Sequence, residues 1–368
     1  MLFKINRDVM LKGLTLTTGF LEKNYAAPIL ANVYIKKFGD ILTIISNDME
    51  IQTSIEIEEK ENTNDFTLTL PAKKLLDILK SLYDNAIVTF TQKESKISIT
   101  SGNAKFILQS LPADHYPIIQ VSHNILSKIS VKQSILKKLL SSVQNAMAEK
   151  DTRVCLNGVF IEVREEELNL VATNGHRLCF ASTKLDTQNQ DLSVIIPRKT
   201  VFEVIKIVDS LSEDVSIIFA ENQVIFESKH KQLISKVIDA KYPDYRRIIS
   251  LNNDKLFLIS RQKLLTALDR VSLIGVDKAR IVIFEFCDDI LKLSSTNDNQ
   301  EEACDEINIV NQDNHQITIP FNFIFIKELL INLDFDQMKW AVLDQKKSIL
   351  VTDPANPNFK AVMIPLKP

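Results

Sequence analysis

Apolar and polar positions alternate along most of this chain in short runs broken by Asn, Asp, Gly and Pro, which predicts a protein dominated by strands and hairpins. Leu170 to Phe180, LVATNGHRLCF, shows the plan most sharply: an apolar run, a turn at Asn174-Gly175, the cationic pair His176-Arg177, then an apolar exit. Asn-Gly tolerates the positive φ of a primed turn, so a hairpin is expected there. Between the strands the period changes to that of a helix. Arg7 to Leu21 places Val9, Met10, Leu14 and Leu21 near helical spacing. Further helices are expected after Pro71 (AKKLLDILKSLYD), from Lys132 to about Met147, after Pro197 (RKTVFEVIKIVD), from Arg261 to Leu273, and after Pro320 (FNFIFIKELLINL). A proline just ahead of the first turn is a start signal.

The pattern repeats. The turn asparagines Asn47, Asn174 and Asn297 lie 127 and 123 residues apart. The prolines Pro71, Pro197 and Pro320 lie 126 and 123 apart, and the opening strand positions Ile5, Val131 and Ile259 lie 126 and 128 apart. Landmarks that keep one period mean one unit written three times. The boundaries fall at 1–122, 123–250 and 251–368, and each unit reads β-α-β-β-β-α-β-β-β, an α+β domain of two helices packed on antiparallel sheet. No low-complexity linker separates the units, so rigid end-to-end packing is expected.

Composition narrows the picture in a few places. Of 368 residues 45% are apolar, enough for each third to bury a core. No apolar run approaches the ~20 residues that span a bilayer. MLFKINRDVM lacks the apolar segment of a secretory signal, which points to a cytoplasmic setting with no membrane partner. Cys155, Cys179, Cys287 and Cys304 show no zinc spacing and read as buried free thiols. Seven glycines and no phosphate-loop pattern argue against ATP use, and the five scattered histidines show no metal spacing. His176 beside Arg177 has no nucleophile or carboxylate pair near it, so no enzyme is expected and no cofactor is implied. Net charge is −3, yet the helical segments 7–23, 72–84, 132–150, 198–209, 261–280 and 321–334 together carry +8, leaving −11 elsewhere. A cationic helical layer on an acidic chain points to a polyanion.

PILAN (28–32), LPAKKLLDIL (70–79), LPADHYP (111–117), RVCLNGVF (153–160), ATNGHRL (172–178), IPRK (196–199), YPDYRR (242–247) and VMIPLK (362–367) occur in order over nearly the whole length. With these stretches the chain resembles the bacterial DNA sliding clamps, the β subunit of the DNA polymerase III holoenzyme. ATNGHRL together with YPDYRR is the specific pair. The resemblance implies three tandem clamp-type domains and a homodimer closed head to tail into a ring. It implies a processivity factor that encircles double-stranded DNA and tethers DNA polymerase III, other polymerases and mismatch-repair clients. A closed ring needs a separate ATP-dependent clamp loader. The alternative is a peptide-binding scaffold with no topological hold on DNA.

The resemblance carries over site residues one by one. The DNA-binding candidates are Lys23, Lys73, Lys74, Lys80, Lys150, Arg198, Lys199, Lys206 and Arg280; the family's arginine after the first helix is Asn24 here. A cleft for client peptides is implied at Leu156, Thr173, Gly175, His176, Arg177, Leu178, Pro243, Arg247, Ile248, Asn322, Phe325, Ser348, Val362, Met363, Pro365 and Leu366. Aliphatic walls would take Leu and Phe anchors with cations and an amide at the rim, and an exposed apolar tail at the C-terminus would complete it. Phe325 stands for a tyrosine, Ala279 for a phenylalanine, Leu366 for a methionine and Lys367 for an arginine. The dimer seam is implied at Lys105, Phe106 and Leu108 against Leu273 and Ile274, with Lys105 facing Glu301, Glu302, Asp305 and Glu306.

Overall fold

The computed structural model describes residues 2–21, 27–59, 64–186, 191–251, 253–274, 280–311 and 314–366. Its internal contacts separate two compact units, Met1–Lys137 with Lys199–Val237 and Lys138–Arg198 with Ile238–Pro368. Each unit holds one long and one short antiparallel sheet.

In the first unit the short sheet runs Phe3–Asn6, Ile87–Lys93, Lys96–Ser101, Ala104–Gln109. The long sheet has eight strands, from Phe66–Pro71 through Asn32–Phe38, Ile41–Asn47, Ile51–Glu58, Lys231–Lys236, Gln223–Ser228 and Asp214–Ala220 to Ile125–Lys132. Helices Arg7–Thr18 and Ala72–Ser81 pack on the sheets through Met10, Leu14, Leu75 and Leu79, against Val33, Ile44, Phe90 and Ile99. Asn6 caps the first helix by accepting from the amides of Asp8 and Val9. That helix stops at Thr18, short of the expected Leu21. Near its end Thr15, Thr17 and Thr18 turn their hydroxyls back onto helix carbonyls, and Gly19 follows.

In the second unit the short sheet runs Glu302–Asn308, Ile290–Thr296, Ile281–Cys287, Ile317–Asn322. The long sheet has nine strands: Leu192–Pro197, Gly158–Arg164, Glu167–Thr173, Arg177–Lys184, Asn356–Met363, Ile349–Asp353, Gln337–Val342, Lys255–Ser260 and Val310–Asn311. Helices Arg261–Val271 and Phe323–Ile331 belong to this unit, and Trp340 is fully buried against Phe284 and Phe321. The start of Phe323–Ile331 is set by Asn322, which accepts from the Ile324 amide, and not by Pro320, which lies inside the preceding strand.

Three further sequence expectations change. The first two repeats have four strands between their helices and the third has five, because FTLTLP, LSVIIP and ITIPFN are strands and not lead-ins to the second helix and the third repeat adds the short Val310–Asn311. Asn174 shapes its turn through its side chain: its Oδ1 accepts from the amides of His176 (2.9 Å) and Arg177 (3.1 Å), and only Gly175 takes positive φ, at 85°. Asn47 and Asn297 likewise accept from the amide two residues on. The four cysteines are free but not all buried, since Cys287 and Cys304 are exposed on the surface of their sheet.

The repeats are joined by main-chain ladders. The last strand of the second repeat, Lys231–Lys236, pairs with Ile51–Glu58 of the first, with Leu233 opposite Thr53. The last strand of the third, Asn356–Met363, pairs with Arg177–Lys184 of the second, with Ala361 opposite Cys179. Rows of cross-strand partners show that these positions correspond. Phe3-Phe90-Ile99-Phe106 matches Ile129-Ile217-Phe226-Leu233 and Phe257-Trp340-Val351-Ala361. Ile35-Ile44-Ile55 matches Ile161-Leu170-Ala181 and Phe284-Leu293-Asp305. By the same correspondence Thr53, Cys179 and Ala303 are equivalent. The strands that remain, Ala104–Gln109 and Glu302–Asn308, are each the end strand of a short sheet.

Candidate functional site

The residues expected to bind peptide all lie in the second unit. Thr173 and Arg177 close a tight turn: the Thr173 hydroxyl donates to the Arg177 carbonyl at 2.7 Å and accepts from the Gly175 amide at 3.1 Å. A side chain at Gly175 would be strained by its φ of 85° and would put a Cβ 3.1 Å from the Arg153 guanidinium. Arg153 is held there by both oxygens of Asp151, at 3.0 and 2.9 Å. These bonds hold the Asp151 carboxyl down to about 2. Sequence reading missed this brace, although Asp151 stands two residues before Arg153, which opens the RVCLNGVF stretch.

Past the turn, Leu178 sits opposite Val362 and Arg177 opposite Met363 in the ladder. Leu178 and Val362 join Val171, Tyr242, Tyr245 and Ile249 in one apolar cluster. Tyr242 stacks on Phe160 at 4.6 Å and points its hydroxyl to the Val171 carbonyl. The chain continues as a strap: the Ile364 amide donates to the His176 carbonyl at 3.0 Å, and the Leu366 amide to Pro320 at 2.9 Å. The tail is therefore not a free apolar end. Val362, Met363 and Pro365 are buried, Leu366 is half-buried and Ile364 is exposed, because the last strand is consumed by the ladder between repeats.

Arg177 departs furthest from expectation. It is not a rim cation, since only 5% of its surface is exposed. It donates to the carbonyls of Phe325 (3.1 Å) and Asn145 and to the Glu328 carboxylate, and its guanidinium lies 4.6 Å from the centre of the Phe325 ring. It thus locks the hairpin to the first turn of helix Phe323–Ile331. His176 is exposed and stacks on the other partner of that contact, Phe325, at 6.0 Å. Gly175, Pro243, Arg247 and Ile248 are exposed; Asn322, Phe325 and Ser348 are half-buried; Leu156, Thr173 and Leu178 are buried. Among the described residues Arg247 pairs only with exposed Asp244, at 3.3 Å. Leu178 and Val362 are thus buried in the apolar cluster, while His176, Pro243, Arg247 and Ile248 are exposed.

The cationic candidates are divided between the units. In the first, Lys73, Lys74 and Lys80 are exposed along helix Ala72–Ser81, while Lys199 and Lys206 sit on helix Arg198–Ile207. In the second, Lys150 and Arg280 are exposed at positive φ, and Arg198 donates to the Met147 carbonyl at 3.3 Å. Lys23, Asn24 and Ala279 lie outside the described residues. Of the seam candidates, Lys105 is exposed, Phe106 half-buried and Leu108 buried on Ala104–Gln109; Leu273 is 75% exposed and Ile274 half-buried after helix Arg261–Val271. Asp305 is not open to Lys105 alone, because Arg270 already donates to it at 2.7 Å. No helix of the described residues is long and apolar enough to cross a membrane.

Three copies of a two-helix, antiparallel-sheet unit, joined strand to strand, define a clamp-type architecture. Comparison with known proteins agrees over the whole length. The family described as DNA polymerase III beta subunit matches by its N-terminal domain at residues 1–120, its central domain at 130–244 and its C-terminal domain at 246–367. The chain is similar to the beta sliding clamps of Pseudomonas aeruginosa (30% identical, 99% of each chain) and Haemophilus influenzae (30%, 100% of each). A crystal structure of the Pseudomonas aeruginosa beta subunit superposes with a TM-score of 0.91 at 29% identity, covering 100% of both chains. Another from that organism, bound to griselimycin, gives 0.93 over 100% of this chain and 99% of that one. The chain belongs to the DNA polymerase III beta subunit family, the bacterial sliding clamps.

Proposed function

We propose that two copies of this chain close head to tail around double-stranded DNA and hold replication and repair proteins to it. The observation that carries the reading is the shared register of the two ladders between repeats. Both pair the last strand of one repeat with the same strand of the repeat before it, at corresponding residues. One strand of each kind is left at a sheet end, and unpaired edges need a partner. Applying the register to a second copy sets Phe106 opposite Ala303 of the partner subunit, a large side chain against a small one. Lys105 then faces Cys304 of the partner subunit, with Glu302 and Glu306 of the partner subunit as diagonal neighbours. The contact is heterologous and closes after two copies, giving a ring and not a fibre.

In this reading Lys73, Lys74, Lys80, Lys150, Arg198, Lys199, Lys206, Arg280 and Lys23 supply the field that meets phosphate. Such contacts carry no sequence information and weaken with salt, which suits sliding. Client peptides lie over the apolar floor of Leu178 and Val362, with contacts to His176, Pro243, Ile248, Phe325 and Leu366. The protein catalyses no reaction itself; a separate ATP-dependent loader opens the ring, in the cytoplasm. The register is tested by a Phe106→Cys, Ala303→Cys double variant under oxidising conditions. The expected product is a covalent dimer that forms with neither single variant. A monomer in gel filtration with no cross-link overturns the ring.

A further inference from the structure

The cations of helices Ala72–Ser81 and Arg198–Ile207 are not equivalent. Lys73, Lys74 and Lys80 are exposed and make no ion pair among the described residues. Lys199 and Lys206 each sit on a buried acid. Lys199 is 32% exposed at its side chain and its ammonium meets the carboxylate of Asp48, which is only 6% exposed. Lys206, 44% exposed, meets Glu203 Oε1 at 2.7 Å, and that glutamate is 3% exposed. Both lysines are boxed in from the other side. The Phe20 ring lies 5.5 Å from the Lys199 ammonium, and a Cβ at Gly19 would fall 2.8 Å from Lys206 Nζ. The lysines therefore face solvent while the acids beneath them do not.

We propose that Asp48 and Glu203 are attenuators of DNA affinity: each keeps one surface lysine neutralised, so that the helix Arg198–Ile207 offers less charge to phosphate than its sequence implies. A phosphate that approaches Lys199 or Lys206 competes with a carboxylate that cannot turn away to water. Seen from a phosphate spacing away, each pair is nearly neutral and releases few counterions from the DNA. A clamp that must slide gains from this, because uncompensated lysines would raise the retention at each phosphate. The inference rests on the reading that these helices face the duplex. It adds that the acids, which sequence carry-over ignores, set how tightly they do.

The test uses the full-length protein and a fluorescently labelled duplex oligonucleotide, with affinity measured across a salt series. Asp48→Asn keeps a side-chain oxygen for the amides of Glu50 and Ile51, which Asp48 now caps, and replaces the charged oxygen that accepts from Lys199 with a neutral NH2. Glu203→Gln is its independent counterpart if the turn variant does not fold. Each freed lysine should steepen the slope of log K against log salt by about 0.9, so a tenfold drop in salt gains each variant about eightfold more affinity than the parent gains. Adding Lys199→Ala to Asp48→Asn should return the slope to that of the parent. A Lys73→Ala, Lys74→Ala variant serves as reference and should flatten the slope. If the reference flattens it and both acid variants leave it unchanged, the attenuator inference is overturned and the DNA-facing reading stands. If the reference also changes nothing, the DNA-facing reading fails and the inference falls with it.

Discussion

Replacing Arg177 by alanine should unfasten the hairpin from the helix that begins at Phe323. The guanidinium is 5% exposed and serves two carbonyls, those of Phe325 and Asn145, besides the Glu328 carboxylate. Hydrogen bonds from a charged group contribute about 1.5–3 kcal/mol each, and orphaned buried carbonyls add their desolvation cost. The Glu328 side chain is 47% exposed, so its share of the pair is discounted to under ~1 kcal/mol. The lost contact with the Phe325 ring adds about 0.5–2 kcal/mol. Partial relaxation and water entry recover some of this, so the net loss is set at about 3–5 kcal/mol. Trp340 is the single tryptophan and is fully buried in the same unit, so its fluorescence during urea unfolding reports the loss directly. Glu328→Gln is the control and should cost less than ~1 kcal/mol. A labelled peptide with Leu and Phe anchors should bind Arg177→Ala at least ~10-fold more weakly, since ~1.4 kcal/mol suffices for that. An Arg177→Ala protein that unfolds within ~1 kcal/mol of the parent and binds the peptide unchanged would refute the assignment of Arg177 as the lock.

Other consequences are easier to reach. Deleting Pro365–Pro368 removes the Leu366 amide bond to Pro320 and should abolish peptide binding in a fluorescence titration while gel filtration still gives the dimer. The Asp151 carboxyl is depressed in the folded chain, so its brace on Arg153 is complete above the ordinary carboxylate range and is lost as pH falls towards about 2. The Gly175 amide resonance should follow that titration and should stop doing so in Asp151→Asn. Gly175→Ala should weaken peptide binding, because both its φ of 85° and the Arg153 guanidinium 3.1 Å away oppose a side chain.

How legible these features were depended on how local their causes are. The helices were readable because Leu75 and Leu79, or Leu264, Ala267 and Leu268, mark a buried stripe in sequence. The repeat was readable because Pro71, Pro197 and Pro320 keep one spacing. Yet Pro320 does not start its helix, and the short strands before the second helices were hidden by their length. The ladders between repeats left no signal at all, since pairing Leu233 with Thr53 joins positions 180 apart in sequence. The same distance hides the fate of charges. Arg177 looks like a surface cation until Phe325, Asn145 and Glu328 surround it, and Lys199 looks open until Asp48 lies beneath it. Burial of Val362 and Met363 follows from the partner strand, which no local pattern reveals.

If this protein holds DNA by enclosing it, its retention must depend on whether the DNA is a closed circle or has free ends. Protein loaded by a clamp loader onto nicked circular duplex should remain through gel filtration and be released when a restriction enzyme linearises the circle. Equal retention on circle and linear form, or equal loss from both, would show that the protein does not enclose the duplex.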